Sequence, residues 1–471
     1  MNPWKIISDQ EIEAIHQATL RVLSEVGIVL DHPQIREQLA DAGAILNGAR
    51  VQFPPDLVEK SIENSTKKVK TRGRDGKFIT IGDGSLKWHN LGGARDIYDP
   101  VSGILRRATL QDLCDSTRLL DALDQATTIT PFFTPIDVPG ELMSLAMYRY
   151  ALPLTTKPLQ GPGVQTGEEV KYAVDMAEVI GPVSDVLTMS VSPVSPLTFP
   201  ADLVGAMVQI AHYGIPFGPL PCPTAGTTAP MSLAGALTQQ NAEVLASIVI
   251  VQLVKPGLPI IYCGRLAMME PRTGGSVWGG VEMGMASAAT VQIGHRYGLP
   301  VNVYGLSTNS HSLEIQSGYE RALNSILPAL AGADELSGIG EMAAGVTSSL
   351  AQMVVDNDIA ASVRRIIKGF DVNDDSLAVD VILDAMEGDH NYLTQRHTIN
   401  YLKGGELLHN TLGVRHSFEE WEKSGRAGLA DNAQAKAQRI LEEHQVPPLD
   451  VSQERELEKI IQKAEDNLVK R

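Results

Sequence analysis

This chain of 471 residues is poor in cysteine, in aromatics and in positive charge. It has 3 cysteines, 5% aromatic residues, and 39 lysines and arginines against 56 aspartates and glutamates. The cysteines, Cys114, Cys222 and Cys263, are far apart and form no Cys-x-x-Cys. That excludes a disulfide framework and points to a reducing, cytoplasmic setting. A formal net charge of −17 offers no basic field to exchange for phosphate counterions, so neither nucleic acid nor an anionic membrane surface is an expected partner. No basic segment followed by an apolar run opens the chain, and no signal peptide is read. The most apolar stretch, 242–254, contains Glu243 and Gln252 and stops at Lys255-Pro256-Gly257. It reads as too short and too polar to span a bilayer. There is no GxxxxGK[ST] and no HExxH. The glycine-rich run from Gly161 to Gly167 puts Pro162 where a dinucleotide turn would form, so nucleotide binding is not expected.

What the chain has is alternation. From Thr127 onward, short β-branched runs end in polar or Gly/Pro loops, and amphipathic helices follow. Strands are expected at 127–131, 157–160, 186–191, 215–220, 259–264, 301–306 and 335–339. Helices are expected between them, at 168–180, 200–213, 235–254, 281–297 and 318–330. Gly214-Ile215-Pro216, Gly257-Leu258-Pro259 and Gly298-Leu299-Pro300 end helices and restart extended chain, because Gly suits a helix C-terminus and Pro cannot continue it. This spacing predicts parallel strands joined by helical crossovers. Seven such units, with an eighth strand unplaced, fit an α/β fold of the TIM (β/α)8 barrel kind better than an open sheet. Residues 1–125 read as a helical and β-hairpin cap, 126–370 as the barrel, and 371–471 as a helical region packed on it. The charged helix at 452–470 reads as a solvated or subunit-contact face.

In such folds ligands bind at the carboxyl ends of the strands, and two of the predicted strands run straight into polar loops there. The loop Glu270–Gly280 offers Arg272, which can hold a carboxylate bidentately, and Trp278. With Tyr262, Tyr304 and Trp88, Trp278 is a candidate wall for a quaternary ammonium, whose charge is drawn to π faces. Core packing is the competing reading for Tyr262 and Tyr304. Glu282, beginning a helix, either stabilises that helix end or faces the cation. Glu341 stands at the end of the strand 335–339. Asn309 and His311 follow the strand 301–306, and His390 lies in the helical region beyond. Cys222 and Cys263 read as small buried apolar side chains, with a zinc pair as the alternative.

The run PTAGTTAPMSLAG from Pro223, NAEVLA from Asn241 and QLVKPGLP from Gln252 resemble the trimethylamine methyltransferase superfamily. So do QSGYE from Gln316, LAGA from Leu330, VDNDIA from Val355, GDHNYLTQRHT from Gly388, and Asp99-Pro-x-Ser-Gly-x-Leu-Arg-Arg-Ala-Thr upstream. The resemblance implies a TIM barrel that transfers a methyl group from an amine to cob(I)alamin on a separate corrinoid protein. The founding members use pyrrolysine. This sequence has standard residues only, and so resembles the non-pyrrolysine branch, whose substrates include glycine betaine, proline betaine and carnitine. From their placement, Glu282 and Glu341 are the candidate catalytic residues, and Arg272, Trp278, Tyr262, Tyr304, Trp88, Asn309, His311 and His390 the candidate substrate contacts. No metal or tightly bound cofactor is expected. The chain has no Asp-x-His-x-x-Gly, the spacing of a cobalt-ligating histidine, which fits a corrinoid carried by the partner. A homo-oligomer is expected. A zinc-dependent methyltransferase and a non-catalytic amine-binding barrel are the other readings.

Overall fold

The computed structural model describes residues 3–161 and 163–469. Pro162 of the glycine-rich run and the last residue of the helix expected at 452–470 lie outside the described residues. That helix is observed as Val451–Leu468.

The chain is an α/β protein in which short parallel strands alternate with helices. The parallel strands are β1 (Lys87–Asn90), β2 (Leu159–Gly161), β3 (Leu187–Val191), β4 (Phe217–Pro219), β5 (Tyr262–Gly264), β6 (Val301–Tyr304) and β7 (Glu335–Ile339). Their neighbours are in sequence order: β2 pairs β3, β3 pairs β4, β5 pairs β6, and β6 pairs β7, all parallel. A parallel bridge joins Phe217 of β4 to Ile260, just before β5. β7 pairs in parallel with β1. Between β1 and β2 lies the expected strand 127–131. It is too irregular to form a ladder, but the Thr127 amide donates to the Trp88 carbonyl at 2.8 Å, and Ile129 bridges Leu159 in parallel.

β1, the neighbour of β7, is a strand not anticipated in the segment read as cap. Its sequence, Lys-Trp-His-Asn, carries no run of β-branched residues, although all four are buried. Buried parallel strands usually read as apolar runs, and this one does not because each polar side chain finds a partner. Lys87 pairs with Asp83, His89 with Asn302, and Asn90 donates to the Thr130 carbonyl.

The helices Gly167–Glu178, Ala201–Tyr213, Leu233–Val254, Val281–Arg296 and Ile315–Leu330 fall where the apolar spacing put them. The third, expected at 235–254, is 22 residues long and apolar enough to cross a membrane, contrary to the reading of its apolar part 242–254 as too short and too polar, yet it lies largely buried within the fold. The helix Val281–Arg296 packs closely on β5 and β6 because of Gly294, where a Cβ would stand 2.4 Å from Val301 and 3.0 Å from Tyr262. The amino-terminal part supplies the helices Asp9–Arg21 and Pro33–Asp41 and the hairpin Val69–Arg72/Phe78–Ile81. The helices from Asp374 to Lys423 bury almost nothing.

Candidate active site

The carboxyl ends of β1, β2, β3, β5, β6 and β7 surround a cavity of about 440 Å3. Its chemistry comes from side chains on or just after those ends: His89, Gln160, Cys222, Arg265, Asn302 and Tyr304, with Trp278 and Arg95 from the loops.

A polar chain forms the floor. The Glu335 carboxylate, wholly buried, accepts from Thr128 Oγ1 at 3.0 Å, Gln160 Nε2 at 2.6 Å and Asn302 Nδ2 at 2.5 Å. The other Nδ2 hydrogen of Asn302 goes to His89 Nε2 at 2.9 Å. His89 Nδ1 donates to the Asn90 carbonyl at 2.7 Å, which fixes the neutral tautomer. Burial pushes the histidine below its ordinary value, so it stays neutral. Asn302 then turns its carbonyl oxygen to Arg265 Nη2, while Arg265 Nη1 donates to the backbone oxygens of Asn302 (2.9 Å) and Gly264 (3.1 Å). Asn302 thus converts the buried negative charge of Glu335 into a fixed position for a buried cation. Arg265 is 4% exposed and lies over the Tyr304 ring, 4.6 Å from its centroid.

Tyr304 also meets Trp278, with ring centroids 4.7 Å apart and planes tilted 48°. The two rings make a corner of π surface. Trp278 belongs to a loop, and Asn309 pins that loop. Its Oδ1 accepts from the Trp278 and Gly279 amides at 2.7 Å each, and its Nδ2 donates to the Ser276 carbonyl. Glycine is required at 279, since a Cβ there would stand 2.1 Å from Glu320 Oε2. Glu320 in turn holds the Asn309 amide at 2.9 Å.

Behind Tyr304 lies a second buried charge group. Arg321 pairs with Asp356 at 3.0 Å, both fully buried, and also donates to the Glu341 backbone carbonyl. The Glu341 side chain is 0% exposed, and among the described residues neither of its oxygens has a hydrogen-bond partner. Burial pushes its carboxyl up to about 8, with Arg321 and Arg265 pulling the other way. It also raises Asp356, to about 6.

The cavity gathers Trp278 and Tyr304 from among the expected contacts. Asn309 acts one step back, on the Trp278 loop. Tyr262 and Trp88 are core: the Tyr262 hydroxyl donates to Asn241 at 2.8 Å, and Trp88 is 0% exposed and outside the lining. Arg272 projects from an exposed turn, so the arginine at the cavity is Arg265 instead. Glu282 is exposed at its helix start. His311 lines a separate groove of about 500 Å3 with Tyr98 and Asp99. His390 is exposed in a left-handed turn with φ 55°. Both Cys222 and Cys263 do line the cavity, Cys222 being the one with open surface on it. Burial pushes the Cys263 thiol up to about 12, which disfavours the thiolate a metal needs. Among the described residues no three His, Cys, Asp or Glu side chains gather as a ligand set. His89, Arg265 and Asn302 were not anticipated. A positional signal existed for Arg265 alone, as the first residue after a predicted strand.

A sequence model of the family "Trimethylamine methyltransferase (MTTB)" matches residues 1–468. The trimethylamine methyltransferase MttB of Methanosarcina barkeri is 29% identical over 480 residues, covering 98% of this chain and 95% of that protein. The glycine betaine methyltransferase of Desulfitobacterium hafniense (strain Y51) is 27% identical over 456 residues, covering 95% and 94%. Among solved structures, the monomethylamine methyltransferase MtmB of Methanosarcina barkeri superposes with a TM-score of 0.54 at 15% identity, over 94% of this chain and 89% of that one. That likeness speaks for the fold alone. Matched along almost its whole length, the chain belongs to the trimethylamine methyltransferase (MTTB) family.

Proposed function

We propose that the chain moves a methyl group from glycine betaine to cob(I)alamin on a separate corrinoid protein, releasing dimethylglycine, and that its parallel strands close into a (β/α)8 barrel around the site. The succession of parallel pairings from β1 round to β7 and back supports the closure. The observation that carries the substrate is the buried Arg265 in the same small cavity as the Trp278–Tyr304 corner. A lone ammonium ion entering there meets a guanidinium that, among the described residues, no carboxylate pairs directly. A zwitterion brings its own carboxylate to it, and its trimethylammonium end meets the rings. The same division of charge suits proline betaine, carnitine and butyrobetaine. Glycine betaine is favoured among them by the named relative.

The chemistry asked of the protein is modest. A quaternary nitrogen is already charged, so loss of one methyl leaves a neutral amine and needs no acid to protonate it. The bond from nitrogen to carbon breaks with its electron pair staying on nitrogen, and the reduced cobalt of the partner supplies the pair for the new bond. What remains is orientation: Arg265 holds the carboxylate, Trp278 and Tyr304 hold the cation, and one methyl faces the opening. A zinc mechanism on Cys222 and Cys263 has less support, for want of a third ligand among the described residues. The three free cysteines suit a reducing cytoplasm. Calorimetric titration tests the binding step. Glycine betaine binds more tightly than trimethylamine or choline to the wild-type chain; tighter binding of trimethylamine would overturn the substrate assignment.

A further inference from the structure

We propose that the surface formed by residues 370–418 docks against the same surface of a second copy of this chain. Fourteen of the thirty-four large apolar side chains exposed among the described residues lie between Phe370 and Phe418, about a tenth of the sequence. In the helix Val379–Glu387 only Ala385 is buried. Val379, Ile382, Leu383 and Met386 form an i, i+3, i+4, i+7 stripe, and all four face solvent at 45–59% exposure. The helices Arg396–Lys403 and Phe418–Lys423 bury no residue at all. Amphipathic helices place such stripes against something, and an apolar surface of this extent marks an interface. Fourteen half-exposed side chains amount to roughly 1,000 Å2 per copy, enough for a stable interface of about 800 Å2 per partner.

Charge selects the occupant. Residues 371–389 hold seven carboxylates and no Lys or Arg, whereas 396–415 hold Arg396, Lys403 and Arg415 against the single Glu406. A two-fold axis between the two stretches lays the acidic one of each copy on the basic one of the other, so the surface is complementary to itself. A partner that must come and go at each turnover fits a smaller and more polar surface.

Sedimentation of the full-length chain tests this. The wild type sediments as an even-numbered assembly. Leu383→Glu with Met386→Glu weakens association about thirtyfold or more, and so does Arg396→Glu with Lys403→Glu. Circular dichroism checks that the variants fold. Carbodiimide cross-linking of mixed 14N and 15N wild-type copies asks the same question without mutation: Lys403 of one isotope joins a carboxylate of 371–389 of the other. A monomeric wild type, an assembly that keeps its mass in both variants, or cross-links confined to one copy overturns the proposal. So does loss of binding to the corrinoid protein without any change in mass.

Discussion

The guanidinium carbon of Arg265, the residue that follows β5, lies 4.6 Å from the centroid of the Tyr304 ring on β6, the two strands being in parallel register with Cys263 opposite Asn302. Asn302 makes this contact a fixed one, because its side chain is committed on three sides to Arg265, His89 and Glu335. The cation in the cavity is therefore preorganised, with little to reorder when a carboxylate arrives.

Replacing that cation separates carboxylate recognition from ammonium recognition. Arg265→Lys keeps the charge and loses the fork. Hydrogen bonds to charged groups are worth about 1.5–3 kcal/mol, so glycine betaine binds about 10–100-fold more weakly, while choline, which lacks the carboxylate, is unaffected. Arg272→Ala, out on its exposed turn, changes neither. Titration of both ligands into the three proteins measures this, with thermal midpoints as the control for folding. Equal losses for betaine and choline in Arg265→Lys contradict the assignment.

The aromatic corner has its own signature. Trp278→Ala weakens every quaternary ammonium ligand by about 0.5–2 kcal/mol, and Trp278→Phe recovers most of it. Asn309→Ala keeps the Trp278 ring but loosens its loop, by removing the acceptor for two amides. It lowers stability by about 1–3 kcal/mol and lowers kcat/KM without altering the preference among ligands. A changed preference would make Asn309 a direct contact.

Glu341 gives a dependence on pH. Its ordinary value is 4.5 and burial holds the folded carboxyl at about 8. Between those values the folded chain keeps a proton that the unfolded chain has lost, so stability falls as pH rises through this window and levels off above it. Asp356, raised to about 6, acts with the same sign over the lower part. Glu341→Gln is neutral throughout and lacks that fall, so it gains on the wild type in thermal midpoint from about pH 5 to about pH 8. A constant difference across that range would show that the buried carboxyl is ionised in the folded chain.

Much of the architecture was legible because helices bury one stripe and parallel strands bury both faces, and both leave periodic marks. β1 left none. Its Lys, His and Asn side chains are matched one by one with partners distant in sequence, a form of burial that periodicity cannot register. The site divides the same way. Trp278 stood out as a rare aromatic in a glycine-rich loop, and Tyr304 as one within a predicted strand. Arg265, however, is recruited through Asn302, which pointed to nothing in the sequence because its significance lies in three partners at positions 89, 265 and 335. The exposed Arg272, two residues into a glycine-rich loop, had the more conspicuous setting.

The most direct test is transfer itself. The purified chain is incubated with its corrinoid protein, reduced to the cob(I)alamin state, and with glycine betaine or trimethylamine, and the cobalt spectrum is followed. Methylcobalamin forms with glycine betaine, dimethylglycine appears in equal amount, and trimethylamine gives none. Methylation from trimethylamine, with glycine betaine inert, would contradict a site built for a zwitterion.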